Sequence, residues 1–187
     1  MRFDENNNVH LEYVDESYPH FDLLQKINND SFPENERCDL KLFTAHQGDG
    51  IQQMYAVVDG EVPVGFVIWN DIGDGYVYWM YLAIDPQYRN RKYGTKTERL
   101  VFDEVLRGKT IFGGIEVIDP AAENYEQRIS RKKFHERNGF HTFDKVFELG
   151  TAGRFQVVCN DPSESADELA EKLFGVMARN NLSAPTE

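Results

Sequence analysis

The chain has 187 residues, 41% of them hydrophobic, which suits one domain with enough apolar material for a core. No run approaches the ~20 apolar residues of a membrane helix, and "MRFDENNNVH" lacks the apolar centre of a secretory signal. The formal net charge of −12 argues against a nucleic-acid binder and is compatible with a cationic small substrate.

Cys38 and Cys159 lie far apart and fit no metal or disulfide spacing, so they read as reduced thiols in a cytoplasmic protein. In chain order, "VHLEYV" (9–14) alternates as a first strand. "YPHFDLLQKINNDSF" (18–32) places Phe21, Leu24 and Ile27 at helical spacing, and Pro33 opens a second expected helix over 33–46. "IQQMYAVVDGEVPVGFVIWND" reads as a hairpin about Asp59-Gly60. "YVYWMYLAI" (76–84) is continuously apolar, the pattern of a strand covered on both faces.

The period then changes. Tyr93, Thr97, Leu100, Val101 and Val105 form one helical face that Gly108 stops, and "TIFGGIEVI" (110–118) is a further buried strand. Strand, helix and strand in so short a span predict a βαβ unit with parallel strands. "NYEQRISRKKFHERN" reads as a helix closed by Gly139, and "GFHTFDKVFEL" with "GRFQVVCND" as a final antiparallel pair. Asp161-Pro162, with Glu164 three positions on, predicts the start of a last helix over 163–179. The expected organisation is one domain over 1–160, a C-terminal helix within 161–180 and a tail over 181–187.

The segment "PQYRNRKYGT" (86–95) gathers Arg89, Arg91 and Lys92 on one turn of an acidic chain, with Lys96 and Arg99 beyond. It lies at the carboxyl end of a parallel strand and the amino end of a helix. Unpaired N–H groups and a positive helix dipole favour an anion there, phosphate above all. Gly94 and Asn90 tolerate the backbone shapes such a turn needs, while Lys92 carries a Cβ and should avoid a glycine-only conformation. On the charges alone, a solvated basic face paired with Glu98 and Glu104 is the simpler account. The turn lacks the Gly-Lys-Ser/Thr ending of a P-loop and the spaced glycines of the dinucleotide fingerprint.

"YLAIDPQYRNRKYGTK" resembles the acetyl-CoA-binding segment of the GNAT superfamily of N-acetyltransferases, whose pattern is Gln/Arg-x-x-Gly-x-Gly/Ala. Arg89 fills the first position and Gly94 the last, but Lys92 replaces the middle glycine and Asn90 stands where many members have glycine. "SFPENER" resembles the loop between the first two helices of small bacterial members, "IEVID" the fifth strand, and "RKKFHERNGF" the later helix and turn. The similarity runs from about residue 31 to 158 and leaves the last helix outside.

The resemblance implies an α/β (α+β) GNAT fold: a mixed sheet of about seven strands, splayed between two parallel strands and flanked by helices. It implies acetyl-CoA as co-substrate. The pantetheine arm would pair with the backbone of Leu82, Ala83 and Ile84, and the pyrophosphate would rest on main-chain N–H groups of Arg89, Asn90, Arg91, Lys92, Tyr93, Gly94 and Thr95. An amine would attack the thioester directly, with no covalent enzyme intermediate. His135 stands where the family usually has the tyrosine that protonates the leaving sulfur, so a protonated imidazole is the expected acid, with Tyr125 and Tyr81 as substitutes. Glu116 is the expected base, and Glu34, Glu36, Trp69 and Tyr78 are candidates for the acceptor mouth, with Asp71 and Asp119 as further acidic neighbours.

The function so implied is N-acetyl transfer to a primary amine of a small molecule or peptide. The alternative, kept open by His135, is an acyl-CoA-binding module with weak or lost catalysis. No nucleic-acid, membrane or metal partner is expected, and a homodimer is compatible with the pattern.

Overall fold

The structure is a computed structural model that describes residues 8–32, 34, 37, 39–44, 51–148 and 153–179. Seven strands hydrogen-bond in the order β1-β2-β3-β4-β5-β7-β6. They are β1 (Val9–Tyr13), β2 (Gln52–Asp59), β3 (Val62–Gly73), β4 (Tyr76–Ile84), β5 (Thr110–Glu116), β6 (His141–Glu148) and β7 (Arg154–Cys159). The helices are α1 (Phe21–Ser31), α2 (Lys41–Thr44), α3 (Tyr93–Leu100), α4 (Tyr125–Arg137) and α5 (Ala166–Arg179). The chain divides into two compact units, Met1–Asp71 with Met80–Gly108, and Ile72–Trp79 with Lys109–Glu187.

In the first unit, β2 pairs antiparallel with both β1 and β3. α1 forms because Phe21, Leu24, Ile27 and Asn28 recur on one buried face, and it ends where Phe32 turns extended. Within the span 33–46 expected to be helical, α2 is described from Lys41, where Asp39 Oδ1 accepts the Lys41 N–H at 3.0 Å; residues 33, 35, 36, 38, 45 and 46 of that span lie outside the described residues. β3 is buried over eight consecutive residues, and Val64 bulges out of the β2 register between Pro63 and Gly65. The bulge frees the Val64 carbonyl to accept the Asp85 N–H at 2.9 Å, at the end of β4. Gly65 sits directly against β4: a Cβ there would lie 2.3 Å from the Ala83 carbonyl oxygen.

In the second unit, β4 and β5 run parallel, as the strand-helix-strand pattern predicts. Their register covers Tyr76↔Thr110, Val77↔Ile111 and Tyr78↔Phe112. β7 pairs antiparallel with β5 and with the edge strand β6. Phe143, Asp144 and Lys145 bulge from β6, a shape that discourages edge-to-edge pairing. α5 buries Leu169, Ala170, Leu173 and Val176, and packs against β6 and β7. It starts at Ala166 rather than near Asp161, because Asp161 Oδ1 accepts the N–H and hydroxyl of Ser163 in a local turn. Tyr76 of β4 donates its hydroxyl to Glu164, and Lys172 lies 4.3 Å from the centre of the Tyr76 ring. The last helix is thus core material of its unit.

The tight β3–β4 turn is a signal the sequence reading passed over. Asp74 (φ 51°) and Gly75 (φ 85°) both take positive φ, the requirement of a two-residue hairpin turn of type I′. Gly65→Ala should cost about 2 kcal/mol or more, because backbone rather than a movable side chain blocks the new methyl group. Urea unfolding of the two proteins measures this, and equal midpoints would contradict the close approach.

Candidate functional site

The site is built on the turn between β4 and α3, all of it in the first unit. Asp85, 6% exposed, accepts the Gln87 N–H on its side chain at 2.9 Å and the Tyr88 N–H on its carbonyl at 2.8 Å, closing a 3-10 turn over Pro86–Tyr88. The Arg89 N–H then bonds the Pro86 carbonyl at 3.4 Å. That corrects the set of amides drawn from the sequence, since the Arg89 amide already serves the protein.

From Asn90 the backbone changes hand. Asn90 (φ 64°) and Lys92 (φ 66°, ψ 12°) are both left-handed. Lys92 therefore adopts the left-handed region, which favours glycine but is open to other residues; the strain of about 1 kcal/mol or more marks a shape the surroundings impose. Lys92 caps α3 without a side-chain bond, and the Lys96 N–H closes onto the Lys92 carbonyl at 2.9 Å. Among the described residues, no acceptor meets the backbone N–H groups from Asn90 to Thr95. They end at a helix N-terminus, where the dipole adds to their positive potential.

Two tyrosines clamp the turn. Tyr88 and Tyr93 pack against a cluster of Val9, Val57, Val64 and Leu11, with their rings 6.1 Å apart and edge to face. The Tyr93 hydroxyl donates to Asp59 Oδ2 at 2.5 Å, a bond that also raises the pKa of that hydroxyl. Sequence reasoning placed Tyr93 here only for its amide and missed Tyr88; the available signal was an aromatic on either side of the basic turn. Arg91 lies 5.4 Å from the Tyr88 ring centre and Lys96 5.8 Å from that of Tyr93. Glu98 is 1% exposed, so it is not the solvated partner of these cations; burial pushes its carboxyl well above the usual range. Before the turn, Ala83 is buried and Leu82 and Ile84 are half-buried, and the Ile84 carbonyl accepts Nε of Arg89 at 3.1 Å.

The expected proton-transfer residues belong to the second unit. Glu116, 3% exposed, is ion-paired with Arg131 and accepts Nδ2 of Asn124 at 3.2 Å. Arg128 joins the network by donating to Asn124 Oδ1 at 2.7 Å and to the Val117 carbonyl at 2.8 Å. Both Glu116 oxygens are thus engaged in fastening α4 to β5. Sequence reading did not connect Arg128 and Arg131 to Glu116, although their spacing puts them on one helix face.

His135 is 9% exposed, its ring edge to face with Phe134 and Phe140 at 5.4 and 5.5 Å. Burial, and secondarily the Arg131 charge, lowers its pKa to about 4. At neutral pH the imidazole is neutral, which runs against the protonated donor expected from the sequence. The Tyr125 side chain is half-buried at the first turn of α4; Tyr81, in the first unit, is half-buried with its ring on Phe32 (5.1 Å) and Phe43 (5.7 Å).

Of the acceptor candidates, Glu34 is exposed and Glu36 lies outside the described residues. Trp69 is buried and stacks on Tyr55 with ring centres 5.0 Å apart; Tyr78 is buried against Phe112 at 5.6 Å. Both aromatics occupy packed interior positions. Asp71 is half-buried and Asp119 is exposed.

His135 carries a pH signature. Its folded pKa of about 4 lies below the ~6.5 of an unfolded histidine, so the unfolded chain binds the extra proton first as pH falls. The resulting stability is complete above about pH 6.5 and declines toward pH 4, by up to ~3 kcal/mol. The stability difference between wild type and His135→Phe, measured by urea unfolding across that window, should shift by this amount in favour of the variant; a constant difference would contradict a buried neutral ring.

A profile of the Acetyltransferase (GNAT) family matches residues 21–140. Among curated proteins no sequence match was found. Solved structures share the fold. A protein assigned to the GNAT acetyltransferases from Bacteroides thetaiotaomicron is 19% identical, with TM-score 0.72 over 95% of this chain and 99% of its own. A spermidine N-acetyltransferase SpeG variant from Vibrio cholerae is 16% identical, with TM-score 0.60 over 82% and 94%. Arabidopsis thaliana Naa50, bound to a bisubstrate analogue of CoA, acetyl and the peptide MVNAL, is 20% identical, with TM-score 0.60 over 82% and 99%. With the family profile covering well over half its length, and the seven-stranded mixed sheet in place, the chain belongs to the GNAT family of acetyltransferases, whose acetyl donor is acetyl-CoA.

Proposed function

We propose that this protein transfers the acetyl group of acetyl-CoA directly to a primary amine of a small molecule or peptide. The observation that supports this most is the run of N–H groups from Asn90 to Thr95 at the start of α3, which meet no acceptor among the described residues. A diphosphate is the complementary ligand, since its oxygens accept several such bonds and its charge lies at the positive end of the helix dipole. Arg91 and Lys92, both exposed, add long-range attraction. Leu82, Ala83 and Ile84 are the strand backbone along which the pantetheine arm would extend.

Bound acetyl-CoA supplies an activated thioester carbonyl. The chain's part is to hold the donor, orient the amine and move protons. Neither Glu116, with both oxygens engaged, nor His135, buried and neutral, sits in surroundings that favour proton transfer. We assign Glu116 to anchoring α4 and give the leaving thiolate a neutral donor, with Tyr125 and Tyr81 ahead of His135. The acceptor class follows from the primary amines of the family's chemistry, and the net charge of −12 suits a cationic one.

The same neutral His135 favours a second reading, an acyl-CoA-binding module with slow catalysis. Thiol release from acetyl-CoA against a panel of amines separates the two. Amine-dependent release supports the transferase, and CoA binding without it supports the module. Arg91→Ala or Lys92→Ala should weaken CoA binding about two- to fivefold at low salt and less at high salt, as screened surface charges do. Unchanged affinity at every salt concentration would remove these side chains from the site.

A further inference from the structure

The family pattern makes Arg89 the leading residue of the phosphate turn, yet its guanidinium is directed at the protein. Nε donates to the carbonyl of Ile84, the last residue of β4, at 3.1 Å. Nη2 donates to the hydroxyl of Ser31, the last residue of α1, at 3.0 Å. The planar fork of a guanidinium holds two such acceptors at once in a fixed geometry. One side chain therefore joins the end of a strand, the turn that follows it and the end of a helix 58 positions away.

The segment leaving α1 is fixed by contacts of the same kind. The Phe32 ring lies edge to face on Tyr81 of β4 at 5.1 Å, and Arg37 Nε donates to the Phe32 carbonyl at 2.7 Å. Of these contacts, the Arg89 bridge is the one that reaches the turn itself. The left-handed residues Asn90 and Lys92 follow within three positions, so movement at Arg89 is passed directly to the amides ahead of α3.

We propose that Arg89 is a positioning residue and not a phosphate ligand: it ties the end of α1 to the turn, so that helix and main-chain amides form one preorganised cradle. The proposal rests on reading the turn as the diphosphate site. It predicts that affinity for CoA depends on Ser31, a neutral hydroxyl that a phosphate-binding role for Arg89 would not involve.

The test is a double-mutant cycle on the full chain, with CoA titrated calorimetrically at low and high salt. Ser31→Ala and Arg89→Ala should each weaken binding about threefold or more, and the double variant no further than Arg89→Ala alone. The salt dependence of binding should match wild type throughout. Ser31→Ala within twofold of wild type would overturn the proposal, and decides the matter even where Arg89→Ala fails to fold. A shallower salt dependence in Arg89→Ala would also overturn it, making Arg89 a direct phosphate partner. Absence of CoA binding by the wild-type chain would instead refute the diphosphate site and is read separately from either variant.

Discussion

A backbone N–H needs an acceptor from the protein, from water or from a ligand, and among the described residues no protein acceptor meets those from Asn90 to Thr95 in the turn entering α3. Much of the surrounding structure maintains that condition. Asp85 closes the preceding 3-10 turn, Asn90 and Lys92 take left-handed conformations, and the Lys92 side chain does not fold back to cap the helix. Strain at Lys92, of order 1–3 kcal/mol, persists only where neighbouring contacts impose it.

Those contacts come from both ends. Tyr88 and Tyr93 are pressed into the cluster of Val9, Val57, Val64 and Leu11, and Tyr93 is hydrogen-bonded to Asp59. The Val64 bulge supplies the carbonyl that holds Asp85, and Gly65 lets Ala83 approach closely enough for the strand to end where it does. The proposed anion site is thus a property of β1, β2, β3 and β4 as much as of the turn that displays it. In the second unit the polar resources are used differently: Glu116, Asn124, Arg128 and Arg131 form a network that fixes a helix on a strand. Breaking one side of such a buried pair costs about 3–5 kcal/mol, so loss of activity in a Glu116 variant is interpretable only beside its stability.

The parts of this arrangement that were legible in the sequence are those set by local periodicity. The apolar run 76–84, the helix that starts at Tyr93 and the parallel strand at 110 all announced themselves, and with them the place where a strand hands over to a helix, although Val105, expected on the apolar face, is exposed. What periodicity does not encode is what a side chain meets across the fold. Trp69 and Tyr78 were candidates for the acceptor mouth, and both are buried against aromatics of other strands. His135 had an ordinary histidine's acidity until Phe140 and the interior displaced water from it. The helix start at Asp161 failed for a local reason: Asp161 spends its carboxylate on Ser163.

The most direct test of the central claim is to follow the backbone amides themselves. In a proton–nitrogen correlation spectrum of the full chain titrated with CoA, the account predicts the largest downfield proton shifts at residues between Asn90 and Thr95, as amides without protein acceptors gain phosphate oxygens. Saturable CoA binding that leaves those resonances in place would contradict it.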